Sequence, residues 1–458
     1  MASPSELRDE RMDDEVAERE SLRRIGGLST ELADVTEVEY RQVRLERVVL
    51  VGVWTSGTAD AAERSLHELA RLAETAGSAV LEGVIQRRPK PDPATYIGSG
   101  KAQELRELVA AVGADTVVCD GELTSGQLQR LEQTVHVKVV DRTWLILDIF
   151  AQHARSREGK AQVTLAQMDY MLPRLRGWGV AMSRQAGGIG TRGPGETKIE
   201  TDRRRIRTRM AKLRRELAAM GMAREVARSS RRQSELPSVA IVGYTNAGKS
   251  SLLNRLTTAG VLVHDELFAT VDPTVRRART PSGREFTMTD TVGFVRHLPT
   301  QLVEAFRSTV EEARHADLLV HVVDGSADAP YEQIAAVREV LADVGADDVR
   351  ELIVVNKADI ADPEVLADLR RTQRYLVTVS ALTGDGIDDL IAEIERDLPS
   401  PRVEVNLLIP YENANLVARA HRDGEVIEIS HADTGTRVHA KVNEQLAGLL
   451  RRAAGIDD

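Results

Sequence analysis

The octet from Gly243 to Ser250, GYTNAGKS, constrains this chain more than any other stretch. A glycine-flanked loop that closes on Lys-Ser works only with a strand before it and a helix after it. The apolar run SVAIVG precedes it and SLLNRL follows, so backbone N–H groups and a helix N-terminus converge where a phosphate would lie. Gly243, Tyr244, Thr245, Asn246, Ala247 and Gly248 form the cradle. Lys249 supplies a point charge to the β/γ oxygens, and the Ser250 hydroxyl is placed to ligate Mg2+.

Later motifs, each behind a strand-like run, narrow the ligand to GTP. EFTMTD leads into Asp290, Thr291, Val292 and Gly293. Asp290 then sits at a strand end, where it can hold the Mg2+ shell through water, and the Gly293 N–H can sense the γ-phosphate. ELIVV leads into Asn356, Lys357, Ala358 and Asp359. The Asp359 carboxylate can accept from N1–H and the exocyclic amine of guanine, donors that adenine lacks there, so the base is expected to be guanine. Lys357 is expected to pack its stem along the base. Ser380 supports a loop in which the Ala381 N–H meets guanine O6, with Leu382 completing that side.

The segment Phe268, Ala269, Thr270, Val271, Asp272 reads as a mobile loop, whose Thr270 closes on Mg2+ and the γ-phosphate. Thr274 is the rival threonine. The expected catalytic set is Lys249, Thr270 and Gly293, and the expected metal ligands are Ser250 and Thr270. Directly after DTVG, where many switch GTPases carry a water-orienting glutamine, this chain has Phe294. A phenyl ring cannot hydrogen-bond the attacking water, so intrinsic hydrolysis is expected to be slow and to depend on outside help. Asn246 has two readings, a ligand for K+ that assists the transition state or a stabiliser of the loop.

At 458 residues the chain exceeds one compact core. The expected architecture is α/β. An acidic tail over 1–47, expected to be flexible, precedes an N-terminal parallel α/β domain over 48–155, built from RVVLVGVW, AVLEGVIQ, DTVVCD and VKVVD alternating with helices. A coiled-coil-like helical hairpin over 156–233 follows, then a P-loop G domain over 237–400 and a small C-terminal α+β domain over 401–458. The hairpin rests on two seams, Ala161, Leu165, Met168, Leu172, Leu175 and Ile206, Met210, Leu213, Leu217, Met220. Between them RGWGVAMSRQAGGIGTRGPGET is expected to break the helix as a long glycine-rich tip. The single cysteine, Cys119, excludes an internal disulfide framework, and no apolar run approaches membrane-spanning length. A soluble cytoplasmic protein is expected.

A formal net charge of −10 excludes a protein that coats nucleic acid everywhere, so RNA affinity needs a local basic surface. The second hairpin helix provides one, with Arg203, Arg204 and Arg205 at its head and Arg184, Arg192 and Lys198 around the tip. Trp178 is placed either to stack on a base or to close the hairpin. Two strings are decoys. Gly188, Gly190 and Gly193 spell GxGxxG without a preceding strand, and Ile97–Ala102, IGSGKA, has Thr95 where a phosphate loop needs its first glycine.

The strings YIGSGKAQEL, DRTWLILDIFAQHARSREGKAQVTLAQMDYMLPRL, SRQAGGIGTRGPGETKIETDRR, GYTNAGKS, FATVDPT, DTVGF and NKAD together resemble the HflX GTPases of the translation-factor-related class. The resemblance covers about Val48 to Pro399. It implies a GTPase, monomeric off the ribosome, that binds the 50S subunit and its rRNA with the hairpin tip near the peptidyl-transferase region. It also implies separation of stalled or idle 70S ribosomes under stress. From the residues alone a second class stays open, a regulatory switch using the hairpin as a protein interface.

Overall fold

The computed structural model describes residues 23–24, 46–183, 194–233, 236–257, 267–268, 272, 274–295, 307–399, 403–442 and 444–456. It divides into two compact units, one ending at Arg215 and the other beginning at Glu216. Among the described residues no helix is long and apolar enough to cross a membrane.

In the first unit, β1 (Arg23–Arg24), β2 (Arg47–Trp54), α1 (Ala59–Thr75), β3 (Ala79–Arg87), α2 (Ser99–Val112), β4 (Thr116–Asp120), α3 (Ser125–Val135), β5 (Lys138–Asp141) and α4 (Arg142–His153) alternate. The five-stranded sheet runs β1-β3-β2-β4-β5, parallel except for β1. Continuous apolar strands such as RVVLVGVW are what a parallel sheet covered on both faces requires. Arg23 and Arg24, expected within a loose tail, pair with Ile85 and Val84; the rest of the acidic leader before residue 46 lies outside the described residues. Cys119 is fully buried, and burial pushes its thiol far above the usual range. Arg142 is buried too, donating to Asp120 Oδ1 at 2.8 Å and to Glu68.

Two long helices follow, α5 (Arg157–Ser183) and α6 (Pro194–Gln233). Here two expectations need correction. The helix does not break at RGWGVAMS but runs through Gly177 and Gly179 to Ser183. A helix interior glycine costs only about 1 kcal/mol, and propagation from an anchored helix absorbs that. The most deeply buried face of α5 is also not the expected seam. Val163, Ala166 and Tyr170 are buried, whereas the expected seam is mixed, with Ala161 buried and Leu165, Met168 and Leu172 half-buried. The reason is a second partner, since this face packs on the α/β domain through Trp144 of α4, whose ring lies 5.4 Å from that of Tyr170. Arg174 lies over Tyr170 at 3.4 Å and donates to the buried Asp141 carboxylate at 3.2 Å, tying the arm's base to the end of β5. On α6 Met210 is buried and Ile206, Leu213, Leu217 and Met220 are half-buried. Arg214 reaches Asp169 at 3.2 Å, so α6 returns alongside α5.

The second unit carries β6 (Ser238–Gly243), α7 (Lys249–Thr257), β7 (Thr274–Arg279), β8 (Glu285–Asp290), α8 (Arg307–Arg314), β9 (Leu318–Asp324), α9 (Pro330–Asp343), β10 (Glu351–Asn356), α10 (Pro363–Thr372), β11 (Leu376–Thr378) and α11 (Ile387–Asp397). Its six-stranded sheet runs β11-β10-β9-β6-β8-β7, parallel apart from the edge strand β7. Ile241, Val320 and Val354 from the central strands pack with Leu252 of α7 and Leu390 of α11 in one core. That packing brings the C-terminal ends of β6, β8, β9 and β10 to one edge, where ligands bind in open parallel sheets.

A three-stranded antiparallel sheet follows, from β12 (Val403–Pro410), β13 (Glu425–Ala432) and β14 (Gly435–Val442) in the order β12-β14-β13, with α12 (Ala414–Asp423) and α13 (Glu444–Ala453) packed on it. The β7–β8 turn is fixed to the segment before β12, because the Arg284 guanidinium donates to the Pro399 carbonyl.

Candidate nucleotide site

The phosphate loop leaves β6 at Gly243 and enters α7 at Lys249. Three backbone positions explain its composition. Gly243 and Gly248 have φ of +150° and +91°, and a Cβ at Gly248 would collide with the Asn356 amide. Asn246, at φ +59°, is among the few non-glycine types that tolerate the left-handed region.

Lys249 is 7% exposed, with Nζ donating to the Tyr244 carbonyl at 2.8 Å. Burial pulls its pKa down to about 8, against the opposing attraction of Asp290. A buried ammonium held mainly by a neutral carbonyl is a cation placed for an anion. The Ser250 hydroxyl donates to Asp290 Oδ2 at 2.6 Å, so the first residues of α7 and the last of β8 present oxygen donors together. That hard-oxygen pair suits Mg2+ sharing its shell with phosphate oxygens.

The DTVG tetrad is stitched to the phosphate loop. The Thr291 hydroxyl donates to the Ile241 carbonyl at 2.7 Å. The Phe294 N–H donates to the Gly243 carbonyl at 3.1 Å, and the Phe294 carbonyl accepts from the Thr245 N–H at 2.8 Å. Val292 and the Phe294 ring are buried. A Cβ at Gly293 would stand 2.7 Å from Thr245 Cγ2 and 3.0 Å from Lys249 Nζ. Only glycine fits, and its backbone lies beside the lysine.

At the other end of the pocket, Asn356 is buried and joins three loops. Its Nδ2 donates to the Ala247 carbonyl at 2.8 Å, and its Oδ1 accepts from the Ala381 N–H at 2.9 Å. The Ala381 N–H, expected at guanine O6, therefore has a protein acceptor here, because the amide oxygen at the end of β10 faces it. The Ala358 N–H donates to the Val379 carbonyl at 3.1 Å, and Ser380 Oγ accepts from the Thr383 N–H at 3.1 Å within its own loop. Asp359 is exposed at the strand tip, and Leu382 is 82% exposed. Sequence reasoning missed Arg255 on α7, which donates to the Leu382 carbonyl at 3.1 Å. An arginine on an amphipathic helix carries no local signal for a loop 127 residues away.

Ala269, Thr270 and Val271 lie outside the described residues. Of their neighbours, Phe268 is buried at φ +59°, Asp272 is half-buried, and Thr274 opens β7 opposite Asp290. Arg184, Arg192 and the glycines of the GxGxxG string also lie outside, as do the side chains of Lys198 and Trp178. Arg204 and Arg205 are exposed on α6 and Arg203 is half-buried. The IGSGKA string is a helix start filled by protein: Arg88 donates to the Ile97 carbonyl at 3.1 Å, and Lys101 pairs with Glu104 at 2.6 Å.

Family models described as GTP-binding GTPase N-terminal, GTP-binding GTPase Middle Region, 50S ribosome-binding GTPase and HflX C-terminal domain match residues 63–151, 153–231, 238–357 and 365–457. The chain is 44% identical over 422 residues to the GTPase HflX of Lacrimispora saccharolytica, covering 92% of this chain and 98% of that one. It is 46% identical over 406 residues to the GTPase HflX of Caldanaerobacter subterraneus subsp. tengcongensis, covering 89% and 93%. A crystal structure of a GTP-binding protein from Sulfolobus solfataricus in complex with GDP is similar at 24% identity and a TM-score of 0.41, covering 77% of this chain and 98% of that one. With a phosphate loop, a guanine-type tetrad and this degree of identity along nearly its whole length, the chain belongs to the HflX family of GTPases.

Proposed function

We propose that this GTPase binds the 50S ribosomal subunit and its rRNA in the GTP-bound state, separates stalled or idle 70S ribosomes under stress, and is released on hydrolysis. The observation that carries the reading is the solvent-facing arginine surface of α6, where Arg204, Arg205, Arg207, Arg209, Arg214 and Arg215 are exposed in a chain of net charge −10. Such a local cationic stripe neutralises phosphates that the rest of the molecule repels. The family model described as a 50S ribosome-binding GTPase supports the same partner.

In this scheme the phosphate-loop residues and Lys249 hold the phosphates, and Asn356 to Asp359 with Ser380 to Leu382 hold the base. Lys249, Thr270 and Gly293 carry the switch and the chemistry. Ser250 and Thr270, with Asp290 behind, would hold Mg2+, which when bound offsets charge on the β- and γ-phosphate oxygens. GTP and GDP must differ in their affinity for the two loop states, since equal binding would shift nothing. With Phe294 in place of a glutamine, turnover is slow until the ribosome supplies what the chain lacks. Asn246 adds K+ to the proposal. Faster turnover in K+ than in Na+ is the expected result, and equal rates would leave Asn246 as a loop residue only.

The proposed division is the five segments given above, working in the cytoplasm as a monomer off the ribosome. Sedimentation with purified 50S and 70S particles in GTP, a non-hydrolysable analogue, GDP and no nucleotide tests the reading. Co-sedimentation should be strongest with the analogue, and 70S particles should shift to subunits. Failure to co-sediment in every nucleotide state would exclude the ribosome and favour a protein-binding switch.

A further inference from the structure

β9 ends at Asp324 and β10 at Asn356, and these two residues are neighbours in the parallel register. The Asp324 carboxylate divides its oxygens between two tasks. Oδ1 closes the turn after β9, accepting from the Ser326 N–H at 2.9 Å and from its hydroxyl at 2.6 Å. Oδ2 reaches across the strand ends to Lys357 Nζ at 2.6 Å. The side chains of the pair are only 27% and 16% exposed, for lysine and aspartate respectively.

The backbone beneath them is locked. The Gly325 N–H donates to the Asn356 carbonyl at 2.9 Å, and a Cβ at Gly325 would stand 2.8 Å from Val355 Cγ1. Lys357 itself sits at φ +61°, a conformation that a long side chain rarely adopts unless its surroundings impose it. Left alone, a lysine stem loses rotamer freedom when it is fixed against a ligand. A charge partner at the ammonium removes much of that freedom before the ligand arrives.

We infer that Asp324 is a positioning residue for base recognition, holding the Lys357 ammonium so that the lysine stem stands ready as one wall of the guanine slot. The inference rests on the proposal that Asn356 to Asp359 grip the base. It assigns a role to a side chain outside the recognised motifs, and it carries a signature. An effect passed through the base wall falls equally on GDP and GTP, whereas one at Lys249 falls on the phosphates.

The test measures binding of fluorescent GDP and GTP analogues to the full chain carrying D324N, K357M, both together, D324A or D359N. D324N keeps an oxygen for the Ser326 turn and loses the charged pair. It should weaken both nucleotides equally, by about five- to tenfold, chiefly through faster release. In the K357M background D324N should add nothing, because the group it acts through is gone. Unchanged affinity in D324N would overturn the inference, as would a loss of equal size in the K357M background. Weakening in D324A but not in D324N would also overturn it, by assigning the effect to the turn. D359N tests the underlying reading independently: it should shift preference from guanine to xanthine nucleotides, and an unchanged preference would sink the base assignment whatever Asp324 does.

Discussion

Burial pulls the Lys249 pKa down to about 8 in the folded chain, against 10.5 for a free lysine. Between those values the folded chain carries fewer protons than the unfolded one, so its stability rises as pH climbs through the window. Below the window the buried ammonium costs stability. A phosphate beside it favours the charged form and raises the pKa again. GDP binding at mildly alkaline pH should therefore take up a fraction of a proton, and affinity should fall as pH rises through the Lys249 pKa. Calorimetric titration in buffers of different ionisation enthalpy reads the uptake directly; a heat independent of buffer would contradict it. Much of this site was legible in the sequence. Asp290 and Asn356 each end an apolar, strand-like run, and Lys249 and Ser250 open the helix after the loop that SVAIVG leads into, so their convergence on one edge follows from parallel-sheet topology. Asp324 and Arg255 were not legible. Each acts on a residue brought near only by the tertiary fold, and an aspartate at a strand end resembles any turn former.

Among the elements, α5 shows where pattern reading stops. Its apolar residues recur at three and four, as a seam should, but periodicity does not say which of two partners claims which face. The α/β domain claims Val163, Ala166 and Tyr170, and of the expected seam Ala161 is buried while Leu165, Met168 and Leu172 are left half-buried. Tyr170 is the most committed of these, packed against Trp144 and capped by Arg174. Tyr170→Ala should destabilise the first unit by about 3–5 kcal/mol in denaturant unfolding, as loss of a buried aromatic does. Met171, next in sequence but 42% exposed, should change stability by less than about 0.5 kcal/mol when replaced by alanine. Equal effects at the two positions would refute this assignment of the faces. The helix through Gly177 and Gly179 escapes pattern reading for a related reason: glycine weakens a helix locally, whereas the length of the anchored segment decides whether it persists.

For the molecule as a whole, charge is sorted. The chain is acidic overall, yet Arg204, Arg205, Arg207, Arg209, Lys212, Arg214 and Arg215 are exposed along α6, and that asymmetry sets an expected salt dependence. Replacing Arg203, Arg204 and Arg205 by Glu should reduce the slope of log affinity against log salt by about one for each phosphate no longer neutralised. It should weaken ribosome co-sedimentation while leaving GDP affinity unchanged. An unaltered slope would move the RNA-binding surface elsewhere. Phe294 bears on the proposed dependence of hydrolysis on the ribosome. Its ring is buried, and its backbone is sewn to the phosphate loop at both its N–H and its carbonyl. A glutamine there would bring an amide into a slot shaped for a phenyl ring, and each buried polar group left unpaired costs about 1–3 kcal/mol. The simplest mutational route to a self-sufficient hydrolase thus runs against folding. Under the proposed function, reliance on an external trigger is then held in place by the core itself, and Phe294→Gln should register first as a loss of stability in denaturant unfolding.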